Sequence, residues 1–208
     1  MANRFYELTF TPSVKRAQER YGSHRNYARV GGEESEFFGL TEAEVEFINQ
    51  RDGFYMATVG ENGYPYVQFR GGPKGFLKIL DKKTLGFADF RGNAQYISVG
   101  NIQTNDRAAL FLMDYANRRR LKILARVQSK DAREAPELIE RLGPQNYKAR
   151  IERAIILRVE AFDWNCPQHI TQRFTIEELE AFNQPLYEHV EILEAENRRL
   201  RGLLEQTR

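Results

Sequence analysis

Cysteine is almost missing from these 208 residues, since Cys166 is the only thiol. One thiol excludes an intrachain disulfide and any cysteine-rich zinc site. The 3 histidines, His24, His169 and His189, are scattered without metal-ligand spacing, so no metal is expected. The opening Met1-Ala2-Asn3-Arg4-Phe5-Tyr6-Glu7 lacks the apolar core of an export signal, and no stretch approaches the roughly 18 apolar residues of a membrane span. A cytoplasmic chain with no membrane partner is the expectation. Neither charge sign dominates, with 31 Lys and Arg against 29 Asp and Glu for a net +2. So weak a field argues against a nucleic-acid partner, and any basic site must be local. Internal repeats and low-complexity tracts are also absent.

What is present is a globular balance, 41% hydrophobic and 29% charged, in a length that suits one folded domain. The pattern divides into an N-terminal helix and loop over 1–40, a β-rich domain over 41–174 and a helical extension over 175–208. Thr11-Pro12 marks the start of a mostly polar helix reaching Tyr21. A Gly-containing loop from Arg29 to Phe38 follows. Thr41 and Glu44 form a capping box on a helix from Glu42 to Arg51, whose Val45, Phe47 and Ile48 are placed to plug the end of a barrel.

From Phe54 the period becomes extended, and aromatic and β-branched residues dominate. Strands are expected over 54–59 and 64–70, joined by Asn62-Gly63 with positive φ at both positions, then over 75–80 and 84–89. A short helix over 94–103 precedes strands over 108–114 and 120–128, with a solvated turn containing Arg118-Arg119-Arg120. A helix over 135–142 and a strand over 154–164 complete the domain. Seven antiparallel strands with peripheral helices read as a closed or nearly closed barrel. In the tail, Leu186, Val190, Leu193, Asn197, Leu200 and Leu204 alternate at spacings of four and three, the a/d pattern of a coiled coil, with Pro185 suited to its first turn.

Two polar stretches stand where strands end: Gln68-Phe69-Arg70-Gly71-Gly72 and Asp89-Phe90-Arg91-Gly92-Asn93-Ala94-Gln95. The second leads into a helix, whose unpaired N–H groups and positive dipole end suit a phosphate, with Arg70 or Arg91 adding a charge-assisted contact. This order, with Leu85-Gly86-Phe87, Asn101-Ile102, Ala109-Leu110-Phe111-Leu112 and Leu121-Lys122-Ile123, resembles the FMN-binding split barrels of the pyridoxamine 5′-phosphate oxidase family, over roughly Leu40 to Val127. The resemblance implies a homodimer with FMN in the groove between subunits. Gln68, Arg70 and Gly71 then line the flavin, Arg91, Asn93 and Gln95 hold its phosphate, and Lys122 reaches the ring. The chain has Arg91-Gly92-Asn93 where the oxidases carry Ser-Arg-Lys, and Trp164-Asn165-Cys166-Pro167-Gln168-His169 where they hold pyridoxal phosphate. Vitamin B6 oxidation is therefore not expected.

The reading is an FMN-dependent oxidoreductase with a small-molecule electron donor or acceptor, in which the flavin carries the chemistry and no catalytic residue is named. The alternative is a non-enzymatic binder or sensor of flavin, deazaflavin or haem, with His169 as the available axial ligand. Cys166 reads as a small buried hydrophobe rather than a nucleophile, and Asn165, Gln168 or His169 as lining for the groove.

Overall fold

A computed structural model describes residues 3–27, 36–164 and 167–206. It has two compact units, one of residues 1–114 and 119–168, the other of residues 115–118 and 169–208. The Arg29–Phe38 loop, up to residue 35, and Asn165 and Cys166 lie outside the described residues.

The first unit is built on a seven-stranded sheet: β1 (Gly53–Val59), β2 (Pro65–Gly71), β3 (Lys78–Asp81), β4 (Thr84–Phe90), β5 (Arg107–Asp114), β6 (Arg119–Asp131) and β7 (Ile151–Trp164). All pairings are antiparallel, in the order β2-β1-β5-β6-β7-β4-β3. The seven expected strands are present. The barrel is not closed, however, because no ladder joins the end strands β2 and β3; it is split between them.

Alternation makes the interior. Phe54 and Met56 on β1, Leu110 and Leu112 on β5, and Leu121 and Ile123 on β6 point inward and are almost wholly buried. Their cross-strand pairing, such as Met56 with Leu110, puts them on one face. Each such burial contributes about 1.5–3 kcal/mol. β4 is buried on both faces, because Leu142 of a helix over Pro136–Leu142 packs with Ala88 and Ala154 on its outer side.

Among the described residues, four helices precede the sheet in this unit: α1 (Asn3–Thr9), α2 (Pro12–Arg20), α3 (His24–Tyr27) and α4 (Glu42–Asn49). α2 matches the expected polar helix and buries no residue. α1 was not legible, being one amphipathic turn pair whose Phe5 becomes buried. α4 carries the Thr41/Glu44 capping box and buries Phe47 and Ile48 at the barrel end. Buried Glu44 also accepts a 2.6 Å hydrogen bond from the Trp164 indole, which fixes the end of β7 over that helix. α5 (Ile97–Thr104) follows β4 and α6 (Pro136–Leu142) follows β6.

Several local expectations are corrected. The β1–β2 hairpin does not use positive φ at both Asn62 and Gly63. Only Gly63, at 83°, has it, and the Gly63 N–H to Gly60 and Gly60 N–H to Tyr64 bonds describe a three-residue loop. That is a type I turn closed by a left-handed glycine, the next commonest hairpin after the two-residue one. β3 begins at Lys78 rather than 75, because Phe76 and Leu77 leave the strand to fill the barrel mouth. Phe76 stacks on Phe54 with ring centroids 5.6 Å apart. Of the three consecutive arginines only Arg118 belongs to the turn; Arg119 and Arg120 are on β6, with Arg119 over the rings of Phe47 and Trp164.

The second unit contains α7 (Ile176–Gln206), a helix of 31 residues. It starts well before Pro185, which sits inside it. The start signal is a second capping box, in which Thr175 Oγ1 accepts from the Glu178 N–H and the Glu178 carboxylate accepts from the Thr175 N–H. Among the described residues no helix is long and apolar enough to cross a membrane.

Candidate functional site

Gln68 and Arg70 pair across β1 with Met56 and Phe54, so both point to the core side of the sheet, but from an end strand with no neighbour beyond it. Asp89 shares its face of β4 with Leu85 and Phe87, at the strand's last turn. The curled sheet brings these two distant strands together. Arg70 Nη1 lies 2.7 Å from Asp89 Oδ1 and bridges the split without any backbone ladder.

Asp89 is the hub of a charge cluster. Its second oxygen lies 2.6 Å from Arg153 Nη1, placed opposite it by the β4–β7 register. Arg153 also lies 2.9 Å from Glu152, which is 3.8 Å from Arg91 and accepts a 3.2 Å hydrogen bond from the Tyr96 hydroxyl. Burial works against the Arg153 charge, yet hydrogen bonding and attraction from Asp89, then Glu152, raise its pKa above the ordinary arginine value. Asp89 is 3% exposed, where a lone carboxylate is not tolerated. Three guanidiniums face two carboxylates, leaving one positive charge in excess.

These residues line a groove of about 310 Å³. Of the site residues expected from sequence, Gln68, Arg70, Gly71, Arg91 and Asn93 are all on its wall. Gln68 is held by a 3.2 Å bond from the Ser98 hydroxyl of α5. Two expected residues are elsewhere. Gln95 is exposed and off the wall, its backbone N–H bonded to the Asn93 side chain at 3.2 Å. Lys122 is on the outer face of β6, opposite Phe111, with its amine 2.7 Å from Asp163 and 4.8 Å from the centre of the Phe5 ring. Gln168 is exposed and does not line the groove, and His169 belongs to the second unit.

The helix expected from Ala94 starts only at Ile97. Ala94 and Tyr96 take positive φ, 59° and 54°, so 91–96 is a loop and the free N–H groups of α5 begin beyond it. Such φ values are strained for residues with a Cβ, and they cluster at the groove rim. The loop is open at Gly92, where an added side chain would meet nothing within 4 Å, so no close approach requires glycine there. Arg153, Glu152 and Tyr96 were not singled out from sequence, and Asp89 was named only as the head of its polar stretch, without a role. The available signal was Asp89 itself, an acid inside the apolar run Leu85–Phe90, which demands a buried cation from another strand.

The Lys122 neighbourhood carries its own pH signature. Burial first, then the Asp163 carboxylate, raises the Tyr6 pKa above 10.0. A group whose folded pKa is raised stabilises the fold fully below its unfolded pKa and stops doing so as pH climbs through the folded value. Stability is therefore expected to fall as pH rises above about 10, and Tyr6→Phe should flatten that limb in denaturation curves at pH 9 to 11. An unchanged slope in the variant removes Tyr6 as its source.

A family model described as pyridoxamine 5′-phosphate oxidase matches residues 40–165. No protein of curated function matches the chain significantly. Among solved structures, one described as a putative pyridoxamine 5′-phosphate oxidase from Lactobacillus delbrueckii is 21% identical, with 60% of this chain and 93% of that one covered at a TM-score of 0.47. An FMN-binding protein from Syntrophomonas wolfei is 9% identical, covering 71% and 97% at 0.47. An F420 reductase is 19% identical, covering 60% and 98% at 0.44.

Proposed function

The chain belongs to the pyridoxamine 5′-phosphate oxidase family, and we propose that it is a cytoplasmic, homodimeric FMN-binding flavoprotein that acts as an oxidoreductase on a small-molecule donor or acceptor. The observation that carries this reading is the guanidinium-rich groove at the split of the barrel. Its residues fit a flavin phosphate: Arg70 Nε is buried without an acceptor among the described residues, and the cluster holds one uncompensated positive charge. Arg91, with half its side chain exposed and only a 3.8 Å ion pair, is free to turn toward an anion. Phe76, Phe90 and Tyr147 add apolar wall for a flat ring system.

The flavin would supply hydride and electron transfer when bound. The chain's part is to hold the phosphate through Arg70 and Arg91, orient the ring against Gln68 and Gly71, and keep water from the buried arginines. A groove of about 310 Å³ is at the small end of ligand sites, roughly 300–1,000 Å³, which supports a half-site completed by a second copy. The outer face of β1 and β2 supports the same reading, because Tyr55, Val67 and Phe69 form an exposed apolar patch that a soluble monomer rarely leaves open. Gly53 lets the Phe69 ring lie directly on the sheet, since any Cβ there would fall inside that ring's contact distance.

The purified protein is expected to be yellow and to release FMN on denaturation. A colourless protein that takes up no added FMN overturns the reading. Reduction of the bound flavin by a nicotinamide or deazaflavin donor then separates an enzyme from a store.

A further inference from the structure

No residue of α7 is buried, although the helix carries a continuous apolar stripe. Leu186, Val190, Leu193 and Leu200 are each 44% to 58% exposed. The stripe runs through Pro185, since exposed Ile176 and Leu179 keep its spacing upstream, but that proline removes one backbone bond within the helix, and the longest apolar run follows it. Numbered as heptads, Leu186, Leu193 and Leu200 hold d positions, and Val190, Asn197 and Leu204 hold a positions. The flanking positions are His189, Glu196 and Leu203 at g, and Tyr187, Glu194 and Arg201 at e. Within its own chain Glu194 pairs with Arg198 and Glu196 with Arg199, both at exposed sites where such pairs contribute little. Arg201 has no ion-pair partner among the described residues.

We propose that α7 is one half of a parallel two-stranded coiled coil with the α7 of a second copy. Three features select this occupant and this direction. In a parallel pair each g residue faces the e residue of the next heptad, which sets Glu196 against Arg201 of the second copy and His189 against Glu194 of the second copy. The first is complementary in charge and gives Arg201 its missing partner, and in the second a ring N–H of His189 can donate to the Glu194 carboxylate. Overlapped in the antiparallel sense, g faces g and e faces e, so Glu196 meets Glu196 and Glu194 meets Glu194. Asn197 decides in the same direction. A parallel pair stacks it on Asn197 of the second copy, amide to amide, whereas an antiparallel pair buries it against a d-position leucine with its amide unsatisfied.

The test uses the full chain with its natural thiol removed, as Cys166→Ser or Cys166→Ala, whichever keeps the parent melting temperature. Spin labels are placed singly at Glu188→Cys and at Glu205→Cys, both off the stripe, and the distance between the two copies' labels is measured by pulsed electron resonance. A parallel coil gives one narrow distance at each site, the two agreeing within a few ångströms. In an antiparallel pair the two axial offsets together amount to at least 17 residues doubled, so at about 1.5 Å per residue one site lengthens by about 25 Å or more. A long distance at either site means antiparallel pairing or packing on a barrel, whether or not the two agree, and broad ones mean a free tail; each overturns the proposal. Arg201→Glu should broaden both distributions, and adding Glu196→Arg should narrow them again. Failure of that rescue likewise overturns the assigned g/e pairing.

Discussion

Asp89→Ala is expected to destabilise the protein by about 3–5 kcal/mol, the cost of removing one partner from a buried ion cluster. The carboxylate is 3% exposed and bound by Arg70 at 2.7 Å and Arg153 at 2.6 Å, so its loss leaves two guanidiniums facing each other at the split. Arg153 retains Glu152, while Arg70, whose Nε already lacks an acceptor, retains nothing in the cluster. The expected sign therefore depends on uncompensated charge rather than on lost volume. Replacing the three together, Arg70→Met, Asp89→Leu and Arg153→Met, should recover most of the stability, because buried ion clusters often exchange for apolar groups at little cost. The same triple variant should bind no FMN. Urea denaturation with an unchanged m-value measures the stability of both variants. A loss below about 1 kcal/mol for Asp89→Ala would mean that water screens the cluster as it screens surface pairs.

That cluster also marks how far the sequence carries. Much that is local was readable: the capping box at Thr41 and Glu44, the strands with their alternation, and the placement of Arg70 and Arg91 at strand ends. The reason is physical, since propensity, capping and period act over a few residues. Most of what failed depends on tertiary packing. Phe76 leaves its strand because the barrel mouth must be filled beside Phe54 and Phe87. Ala94 and Tyr96 accept left-handed backbone that neither residue favours, so the short helix begins three residues late. Arg153 lies 64 residues from Asp89, and only the β4–β7 register makes them partners. Pro185 gave a misleading helix start because the Thr175 capping box, further upstream, outranks it. Lys122 kept its expected strand but points to the outer face, as one step of the two-residue strand period requires.

Removing either arginine of the phosphate grip is expected to weaken FMN binding about tenfold to a hundredfold. A charge-assisted contact contributes about 1.5–3 kcal/mol, and about 1.4 kcal/mol is a factor of ten. Arg70→Ala and Arg91→Ala act by different routes. Arg70 removes the buried donor whose Nε lacks an acceptor and leaves Asp89 with one cation fewer, which turns the groove from an excess positive charge to balance. Arg91 is half exposed and held only by the 3.8 Å pair with Glu152, so its loss disturbs the fold little and reports on the ligand directly. Riboflavin is the internal control, because it has the ring without the phosphate. Both variants should lose FMN affinity while riboflavin binding stays near its parent value, with the Arg91 variant keeping the parent melting temperature and the Arg70 variant losing part of it. Equal losses for FMN and riboflavin would show that these arginines support the ring or the fold. Unchanged FMN affinity in both would move the phosphate out of this groove, to the outer sheet face where Lys122 stands beside Phe111.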